Sequence, residues 1–525
     1  MSKMNGGQVL VESLYRNGIR FIFGIPGAGQ YEATDAIYQH SGILYINTRH
    51  EQAASFMADG YARASGKVGA ALVVPGPGFY NACAGISTAH AVSSPILVIT
   101  GLPYSHQKGG QKLDRSFLEP LTKWSGNAKS PEEIPGLINS AFHHLKNGRK
   151  QPVVVEISAN ALEMETDFQL LDPEPDVQPV SNPKLLDQAA CILANADKPL
   201  IWTGGGAVYS DSTQNLQKLA EHLQAPVVTT AGGKGAISDR HPLSLGLAEL
   251  RYKPLNTWID SCDVILAVGT GTGFQDRLSR QQVVRIDIDE KEIRRPNHHS
   301  LGIEGDASYC LDELLTRIRE ISESRPNIEE EVKSINELRF NPDDQLQPQH
   351  DFQQAIRSAI PDDGILVIGM NQMGYYCRNY YATYSPRTLF TSSSEGTLGS
   401  AYPIALGAKV AKPNKAVVSI SGDGGFLYNV QELATAVQHG ICAVAIVFND
   451  NAFGNVLRAQ IEQFDGNIIG TKLHNPDFVR LAETFGARGI RAHNAEELET
   501  TLSEALVANK PTLIEVPVGM MDRRY

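Results

Sequence analysis

The sequence lacks the features that mark membrane, secreted and nucleic-acid-binding proteins. It has no apolar run long enough to span a bilayer and no charged-then-apolar leader, so neither a membrane span nor export is expected. Its 58 acidic residues outnumber the 46 basic ones, for a net charge of -12, which argues against a nucleic-acid partner. Six cysteines without a CxxC pair predict reduced thiols in a cytoplasmic protein rather than a disulfide or zinc framework.

What the chain has instead is a repeated alternation of short β-branched runs with helical patterns. Two proline-containing, charged segments, 172–184 and 322–349, read as linkers and suggest domains at 1–171, 185–321 and 350–525. Each domain repeats the strand–turn–helix pattern, which predicts an α/β fold of three doubly wound parallel sheets. Ligands bind such sheets at the carboxyl ends of strands, where the glycine-rich turns of this sequence fall.

The stretch 418–454 carries the strongest chemical signal. Asp423 and Asp450 follow two successive predicted strands, so they should meet at one edge of a sheet. Gly424 and Gly425 leave backbone N–H groups open at a helix start, an arrangement that binds phosphate. Two carboxylates beside a phosphate need a hard cation between them, which predicts Mg²⁺. A tight turn with an exposed acid is the structural alternative.

This pattern, GDGG followed by NDN, resembles the diphosphate and metal motif of thiamine-diphosphate-dependent enzymes. The resemblance implies that Asp423 and Asp450 are metal ligands and that the Ala452 carbonyl is a third. Asn is commoner than Asp at position 450 in that superfamily, but both supply a hard oxygen.

A second segment near the N-terminus supports the same cofactor. Thiamine diphosphate needs one carboxylic acid in a largely apolar pocket, and Glu51 opens a predicted helix with an apolar stripe. From the residues alone, Glu51 is equally an ordinary first-turn acid facing the helix dipole. The segment RHEQAASFMADGYARASGK, however, strongly resembles the pyrimidine-binding domain of the acetolactate synthase and benzoylformate decarboxylase group. There the Glu of R-H-E is the activating acid.

Two further segments resemble that group. In TSSSEGTLGS, the resemblance makes Leu398 the apolar wedge that bends the cofactor and the Gly396 carbonyl an acceptor for its amino group; GMNQM resembles the segment over the diphosphate. The domains would be pyrimidine-binding, central and diphosphate-binding, in dimers or tetramers whose subunits share active sites. The residues so implied to bind the cofactor are Glu51, Asn371, Gln372, Gly396, Thr397, Leu398, Gly422, Asp423, Gly424, Gly425, Asp450, Phe453 and Gly454.

The resemblance implies a thiamine-diphosphate- and Mg²⁺-dependent 2-oxo acid decarboxylating carboligase of acetolactate synthase type. The cofactor ylid attacks the donor 2-oxo acid, carbon dioxide leaves, and a C–C bond forms with a carbonyl acceptor. Gln111 is the predicted catalytic glutamine facing substrate. Ala28 and Val74-Pro75 stand where a decarboxylase carries Ser and His. The predicted substrate wall is Gly27, Ala28, Val74 and Pro75.

Other interpretations stay open. Glu395, at a position usually apolar in that family, and the missing Trp after FNDN leave the substrate open more than the reaction class. A non-ligating 2-oxo acid decarboxylase or a 2-hydroxyacyl lyase is the alternative function. A non-catalytic homologue that only binds the cofactor is a third hypothesis. In the central domain, the glycines of AVGTGTG and the acids of RIDID suggest a nucleotide such as FAD, although a scaffold without FAD is favoured. These residues are Gly269, Gly271, Gly273, Asp287 and Asp289.

Overall fold

The computed structural model describes most of the 525-residue chain and contains three six-stranded parallel sheets, which confirms the predicted α/β class. The parts described are residues 3–102, 115–167, 169–175, 179–249, 252–271, 280–294, 300–339, 345–392 and 394–522.

The N-terminal sheet has the strand order β2-β1-β3-β4-β6-β5. Its strands are β1 (Phe21–Gly24), β2 (Leu44–Asn47), β3 (Gly69–Val73), β4 (Ile96–Leu102), β5 (Trp124–Ala128) and β6 (Val153–Ser158). A short antiparallel pair, Met4–Asn5 with Glu165–Thr166, lies outside this sheet. The helices are α1 (Gly6–Arg16), α2 (Tyr31–Gln39), α3 (Glu51–Ser65), α4 (Pro77–Ala91), α5 (Arg115–Leu118), α6 (Glu133–Lys146) and α7 (Ala159–Glu163).

The middle sheet has the order β9-β8-β7-β10-β11-β12. Its strands are β7 (Pro199–Thr203), β8 (Val227–Thr229), β9 (Ser244–Leu247), β10 (Val264–Val268), β11 (Gln282–Asp287) and β12 (Ser300–Glu304). The helices are α8 (Pro183–Ala194), α9 (Gly205–Tyr209), α10 (Thr213–Leu223), α11 (Lys253–Asp260), α12 (Glu290–Ile293), α13 (Ala307–Ile321), α14 (Glu329–Arg339) and α15 (Gln349–Ala359).

The C-terminal sheet has the order β14-β13-β15-β16-β18-β17. Its strands are β13 (Ile365–Ile368), β14 (Leu389–Thr391), β15 (Val417–Gly422), β16 (Val444–Asn449), β17 (Arg488–Arg491) and β18 (Thr512–Pro517). The helices are α16 (Gln372–Tyr380), α17 (Ala401–Ala411), α18 (Asp423–Leu427), α19 (Glu432–His439), α20 (Gly454–Gln463), α21 (Phe478–Thr484) and α22 (Ala495–Val507). Gly440 ends α19, in the left-handed conformation that glycine adopts at low cost.

The chain forms two compact units, each with its own core. One unit comprises Met1–Asp176, Ser358–Tyr375 and Thr391–Met520, and its largest core joins Met57 of α3 to Tyr402 of α17 and to Val447 of β16. The other comprises Val177–Arg357, Tyr376–Phe390 and Met521–Tyr525, and its core surrounds the middle sheet. The boundaries 1–171, 185–321 and 350–525 stay a prediction.

One segment differs from expectation. The proposed linker 322–349 contains helix α14, whose Val332 and Ile335 are buried in the core of the middle sheet. These two residues are one helical turn apart, so α14 has a narrow apolar face. The sequence does not reveal this apolar face, because the segment is highly charged: three glutamates open the helix and face solvent.

Two expectations from the sequence, that the chain has no membrane span and no disulfide, can be compared with the described residues. None of their helices has the length and apolarity required to cross a membrane. All six cysteines are described, and none of them forms a disulfide. Cys262, Cys310 and Cys377 are buried in cores, where loss of hydration raises the pKa of each thiol.

Candidate active site

Two aspartates lie at the same edge of the C-terminal sheet, as predicted. Strands β15 and β16 pair in parallel with Gly422 opposite Phe448, and Asp423 and Asp450 follow the two strand ends. Burial raises the pKa of Asp423. Burial, and next the neighbouring Asp423 carboxylate, raise the pKa of Asp450 to about 6. Two carboxylates held together in a partly buried turn are a site that favours a bound cation.

The turn that carries Asp450 is fixed by its own backbone. Asn451 has a φ of 55°, a left-handed conformation that asparagine tolerates better than most residues. The N–H of Asn451 donates to the Asn449 side chain and the N–H of Ala452 donates to Asp450 Oδ1, both at 3.2 Å. A Cβ at Gly454 would lie 2.2 Å from Asp450 Oδ2, so only glycine leaves this carboxylate in place.

Asn475 completes the turn and was not predicted. Its Nδ2 donates to Asp423 Oδ2 at 2.5 Å, to Asn449 Oδ1 at 2.9 Å and to Asn451 Oδ1 at 3.3 Å. Its Oδ1 is buried and accepts no hydrogen bond from the described residues. Asn475 sits in a loop 25 positions beyond Asp450 in a segment with no periodic pattern, so no local sequence signal indicates this role.

Gln372, predicted as a cofactor-binding residue, contacts Asp450 from the other side and is held by Arg458, which was not predicted. Gln372 Nε2 is 3.4 Å from Asp450 Oδ2, and its Oε1 accepts a 2.7 Å bond from the guanidinium of buried Arg458. Arg458 thereby orients the Gln372 amide, which in turn faces the carboxylate. The neighbouring Asn371 is anchored by accepting a bond from the Gly374 N–H at 2.9 Å.

These groups fit a divalent cation. The turn brings together two partly buried carboxylates and the orphaned Asn475 Oδ1, so it holds more oxygen acceptors than donors. Among the described residues no group of three or more His, Cys, Asp or Glu forms a metal cluster, so a metal here needs carbonyl and cofactor oxygens as well. Mg²⁺ is bound in that way, through one or two carboxylates and phosphate oxygens. The ligand set Asp423, Asp450 and the Ala452 carbonyl stays a prediction.

The glycines after β15 are needed for close packing. Gly422 is the N-cap of α18, and a Cβ at Gly424 would lie 2.5 Å from the Phe453 ring. A Cβ at Gly425 would be 3.9 Å from Leu398, so the predicted wedge residue lies beside the GDGG turn. At Gly425, although not at Gly424, the backbone of this turn is therefore open toward Leu398, as a phosphate-binding loop requires.

The segment around Leu398 contacts the N-terminal sheet's helices. Gly396 adopts a φ of 72°, and the hydroxyls of Thr397 and Thr88 share a hydrogen bond of 3.0 Å. Glu395, the departure noted from the sequence, accepts a 3.1 Å bond from Ser87. Thr88 and Ser87 both belong to α4, so α4 helps to position the segment.

Glu51 is the first residue of α3, as expected. Its Oε2 accepts a 3.0 Å bond from Asn81 Nδ2, and the predicted apolar stripe behind it is buried. A Cβ at Gly78 would lie 3.0 Å from Glu51 Oε1 and 2.6 Å from Val74, so Val74 is close to this carboxylate. The buried stripe comprises Ala53, Ala54, Met57 and Tyr61.

The other substrate-wall residues lie around Val74. A Cβ at Gly27 would be 2.5 Å from Val74, and Pro75 packs against Gly101. Ala28 is exposed. Gln111 lies outside the described residues, so its predicted catalytic role stays a prediction.

The glycine-rich turns of the middle sheet are packed differently. A Cβ at Gly206 would lie 2.6 Å from the Gly269 Cα. A Cβ at Gly204 would lie 2.3 Å from the Gly269 carbonyl oxygen. Asp287 accepts a bond from the Asp289 N–H, and Asp289 in turn caps α12. No described residue lies within 4 Å of a Cβ placed at Gly271, and Gly273 lies outside the described residues. These contacts account for most of the pattern without a nucleotide, and the status of FAD stays a prediction.

Family comparisons agree with this arrangement. Residues 4–122 match the N-terminal TPP binding domain of thiamine pyrophosphate enzymes, 186–314 match their central domain, and 367–516 match their C-terminal TPP binding domain. The first match contains Glu51 and the third contains Asp423 and Asp450.

Relatives match over nearly the whole chain. A probable acetolactate synthase large subunit of Methanocaldococcus jannaschii is 34% identical over 98% of this chain and 92% of its own length. This chain belongs to the acetolactate synthase family of thiamine pyrophosphate enzymes. Other acetolactate synthase family relatives include the large subunit of Haemophilus influenzae and the isozyme 3 large subunit of Escherichia coli. Each is 32% identical over 100% of this chain and 96% of its own length.

Membership of this family makes the protein a thiamine-diphosphate-dependent enzyme. The matches also confirm the predicted fold class and the predicted family. The non-catalytic hypothesis is therefore wrong. The roles of individual residues, the Mg²⁺ ion and the reaction product stay predictions.

Proposed function

We propose that this enzyme is a decarboxylating carboligase that joins a 2-oxo acid donor to a carbonyl acceptor, as an acetolactate synthase does. The observation that carries the proposal is the apolar Val74 beside Glu51, in a chain similar over its full length to acetolactate synthase large subunits. A simple decarboxylase must protonate the decarboxylated adduct, and an apolar neighbour supplies no proton. Val74 favours attack on a second carbonyl compound instead.

The chain's own residues have distinct tasks in this proposal. Asp423, Asp450 and the Ala452 carbonyl would hold Mg²⁺, with Gln372 and Asn475 orienting the two carboxylates. Backbone N–H groups of the GDGG turn would donate hydrogen bonds to the diphosphate. Thiamine diphosphate, when bound, supplies an electron sink for decarboxylation.

Glu51 and Leu398 would position the rest of the cofactor. Glu51 would hydrogen-bond the pyrimidine ring, and the Asn81 amide fixes the orientation of its carboxyl group. Leu398, which lies next to Gly425, would contact the cofactor as the apolar wedge. Gln111 would face the substrate.

We further propose a dimer or tetramer with active sites shared between subunits. Within one chain, Asn429 links α3 to the loops of the C-terminal sheet. Its Nδ2 donates to the Gly399 carbonyl at 2.8 Å and to Gln52 Oε1 at 3.3 Å. Gln52 directly follows Glu51, so α3 is held against the C-terminal sheet's loops. Sedimentation of the holoenzyme gives the subunit number.

A substrate panel tests the proposed reaction. The holoenzyme is incubated with thiamine diphosphate, Mg²⁺ and single 2-oxo acids, and carbon dioxide and products are followed by mass. We expect pyruvate to yield acetolactate. Aldehyde alone would establish the decarboxylase, and cleavage of a 2-hydroxyacyl compound the lyase.

A Glu51→Gln variant tests the activating acid in the same assay. We expect activity to fall by about 10² to 10⁴-fold, the usual contribution of a positioned acid–base group. Cofactor affinity should persist, because the amide keeps the same shape. An Asn81→Ala variant, which removes only the hydrogen bond to Glu51, should lose less activity. Normal turnover by Glu51→Gln would contradict the assignment.

A further inference from the structure

Two buried polar side chains lie where α18 leads into α19, outside the residues predicted to bind the cofactor. Asn429 is 1% exposed, and Glu432, the first residue of α19, is 0% exposed. The Glu432 N–H donates to the Asn429 carbonyl at 3.1 Å. One short turn therefore presents both side chains.

Glu432 holds the backbone that leads into Glu51. The Arg49 N–H is shared between the two oxygens of the Glu432 carboxylate, at 3.1 and 3.2 Å. The Thr435 hydroxyl donates to the same carboxylate at 2.6 Å. A hydrogen bond to an ionised acceptor is about twice as strong as one between neutral groups. The backbone two positions before Glu51 is thus fixed to α19.

The far end of α19 holds the start of the same turn. Gln438 Nε2 donates to Asn47 Oδ1 at 2.8 Å, and His439 Nε2 lies 2.8 Å from that oxygen. Asn47 is the last residue of β2. The turn 47–50, which connects β2 to the helix that begins with Glu51, therefore lies along α19.

Asn429 holds the residue on the other side of Glu51. Its Nδ2 donates to Gln52 Oε1 at 3.3 Å and to the Gly399 carbonyl at 2.8 Å. An amide nitrogen has two N–H donors, so both are used. Gln52 directly follows Glu51 and Gly399 directly follows Leu398, so one amide connects the neighbours of both residues.

The contacts on the two sides of Glu51 form one buried network. A buried network whose members are all hydrogen-bonded specifies a single arrangement. The role proposed for Glu51 depends on such an arrangement, because its carboxyl group must meet one ring of the cofactor. A misplacement of about 1 Å at a catalytic group can cost about 100-fold in rate.

We propose that Asn429 and Glu432 are positioning residues, which together fix Glu51 in the place where it meets the cofactor. Glu432 acts through the backbone before Glu51, and Asn429 acts through the side chain after it. Asn429 also sets the distance to the Leu398 segment. The inference rests on the role of Glu51 in the proposed function.

Amide hydrogen exchange of the full chain without cofactor tests the hold on the turn. The exchange is followed by mass spectrometry at pH 8, above the pKa of about 7 that burial gives Glu432, so that its carboxylate is ionised. We expect the peptide containing Arg49 to exchange about tenfold faster in Glu432→Gln. A neutral amide has the same shape but is a weaker acceptor than a carboxylate.

Exchange of the C2 proton of bound thiamine diphosphate tests the consequence. The holoenzyme is mixed with deuterium oxide at saturating cofactor and Mg²⁺, quenched, and analysed by proton NMR. We expect Glu432→Gln and Asn429→Ala each to slow this exchange by about 10- to 100-fold. Cofactor affinity should stay near that of the parent, since the predicted metal ligands are unchanged.

Leu433→Ala is the matched control for general destabilisation. Leu433 neighbours Glu432 on α19 and is 0% exposed, but its side chain is apolar and lies in the core. The substitution leaves a cavity and lowers stability. It should leave the amide exchange at Arg49 and the C2 exchange close to those of the parent.

The Glu51→Gln variant separates this inference from the function on which it rests. If Glu51→Gln slows C2 exchange while Glu432→Gln and Asn429→Ala match the parent, the positioning role is wrong. It is also wrong if Leu433→Ala slows the exchange as much as they do. Normal C2 exchange in Glu51→Gln would instead contradict the proposed role of Glu51, and with it the premise of this inference.

Discussion

The middle and C-terminal sheets both end their strands in glycine-rich turns followed by acids, yet the two turns are used differently. In the C-terminal sheet, Gly424 packs on the Phe453 ring, Gly425 leaves backbone open next to Leu398, and Asp423 lies against Asp450. In the middle sheet, Gly206 packs directly on Gly269, and the acids that follow β11 cap their own loop and helix.

This difference shows what a glycine-rich turn at the end of a strand indicates. Glycine allows close approach of any partner, whether a phosphate or another stretch of backbone. The C-terminal turn is distinguished by its two adjacent carboxylates and by the orphaned oxygen of Asn475. Unbalanced polar groups, rather than glycines, separate a candidate cofactor site from a packing contact.

The sharpest test compares one acid from each turn. We expect Asp423→Ala to weaken Mg²⁺-dependent binding of thiamine diphosphate by more than about 100-fold, since even residues behind metal ligands contribute 10- to 100-fold. Asp287→Ala, in the middle sheet, should leave that affinity within about twofold because the two acids share no partner. Tryptophan fluorescence titration measures both.

Either of two results would contradict this difference between the two turns. If Asp423→Ala bound cofactor and metal normally, the C-terminal turn would be a packing device like its counterpart. If Asp287→Ala lost cofactor, the middle-sheet acids would have a role in holding it.

A pair of glycine substitutions gives the next largest effect. In Gly454→Ala, the new methyl group would lie 2.2 Å from Asp450 Oδ2 and must displace that carboxylate. We expect about 10- to 100-fold weaker Mg²⁺ affinity, as for loss of a group that orients a ligand. In Gly206→Ala, the methyl would meet Gly269 at 2.6 Å, so overpacking should cost about 1–3 kcal/mol in the free energy of unfolding.

Urea unfolding and metal titration of both variants separate these outcomes. Gly206→Ala should keep its metal affinity and lose stability. If Gly454→Ala lost stability with unchanged metal affinity, the glycine would serve packing in both turns.

The smallest expected effect concerns a third buried acid, Glu432. Burial raises its pKa to about 7, although Thr435 and the Arg49 N–H donate to it. Its pKa is higher folded than unfolded, so its contribution is present below about pH 4.5 and is lost as pH rises through 7. The free energy of unfolding should fall over that window by a few kcal/mol at most, at about 1.4 kcal/mol per pKa unit.

Glu432→Gln provides the control for that pH dependence. The amide stays neutral, so stability of the variant should vary less between pH 4.5 and 7 than stability of the parent. Equal slopes in urea unfolding of the two proteins would show that Glu432 does not titrate in this window. Burial alone would then be insufficient to raise a carboxyl pKa into this range, whereas the pKa of Asp450 has the Asp423 carboxylate as a second cause.

Much of the fold and part of the site were predictable. Alternating apolar runs and helical patterns indicated three parallel sheets. The placement of Asp423 and Asp450 at one sheet edge followed from strand order. Helix α14 was missed because its apolar face is only Val332 and Ile335 within a charged segment.

The supporting residues of the site could not be predicted. Asn475 reaches Asp423 from a loop without periodicity, and Arg458 acts on Asp450 only through Gln372. Such contacts depend on where loops and helices pack, which no local pattern encodes.

By itself the sequence determined the secondary structure, the sheet class and the two carboxylates at one sheet edge, because periodicity and strand-end position are local properties of the chain. Only the tertiary structure decided which glycines are packed and which are open, and which buried polar atoms lack a partner. Those are properties of atoms brought together from distant segments, and they distinguish the candidate cofactor turn from its structural counterpart in the middle sheet.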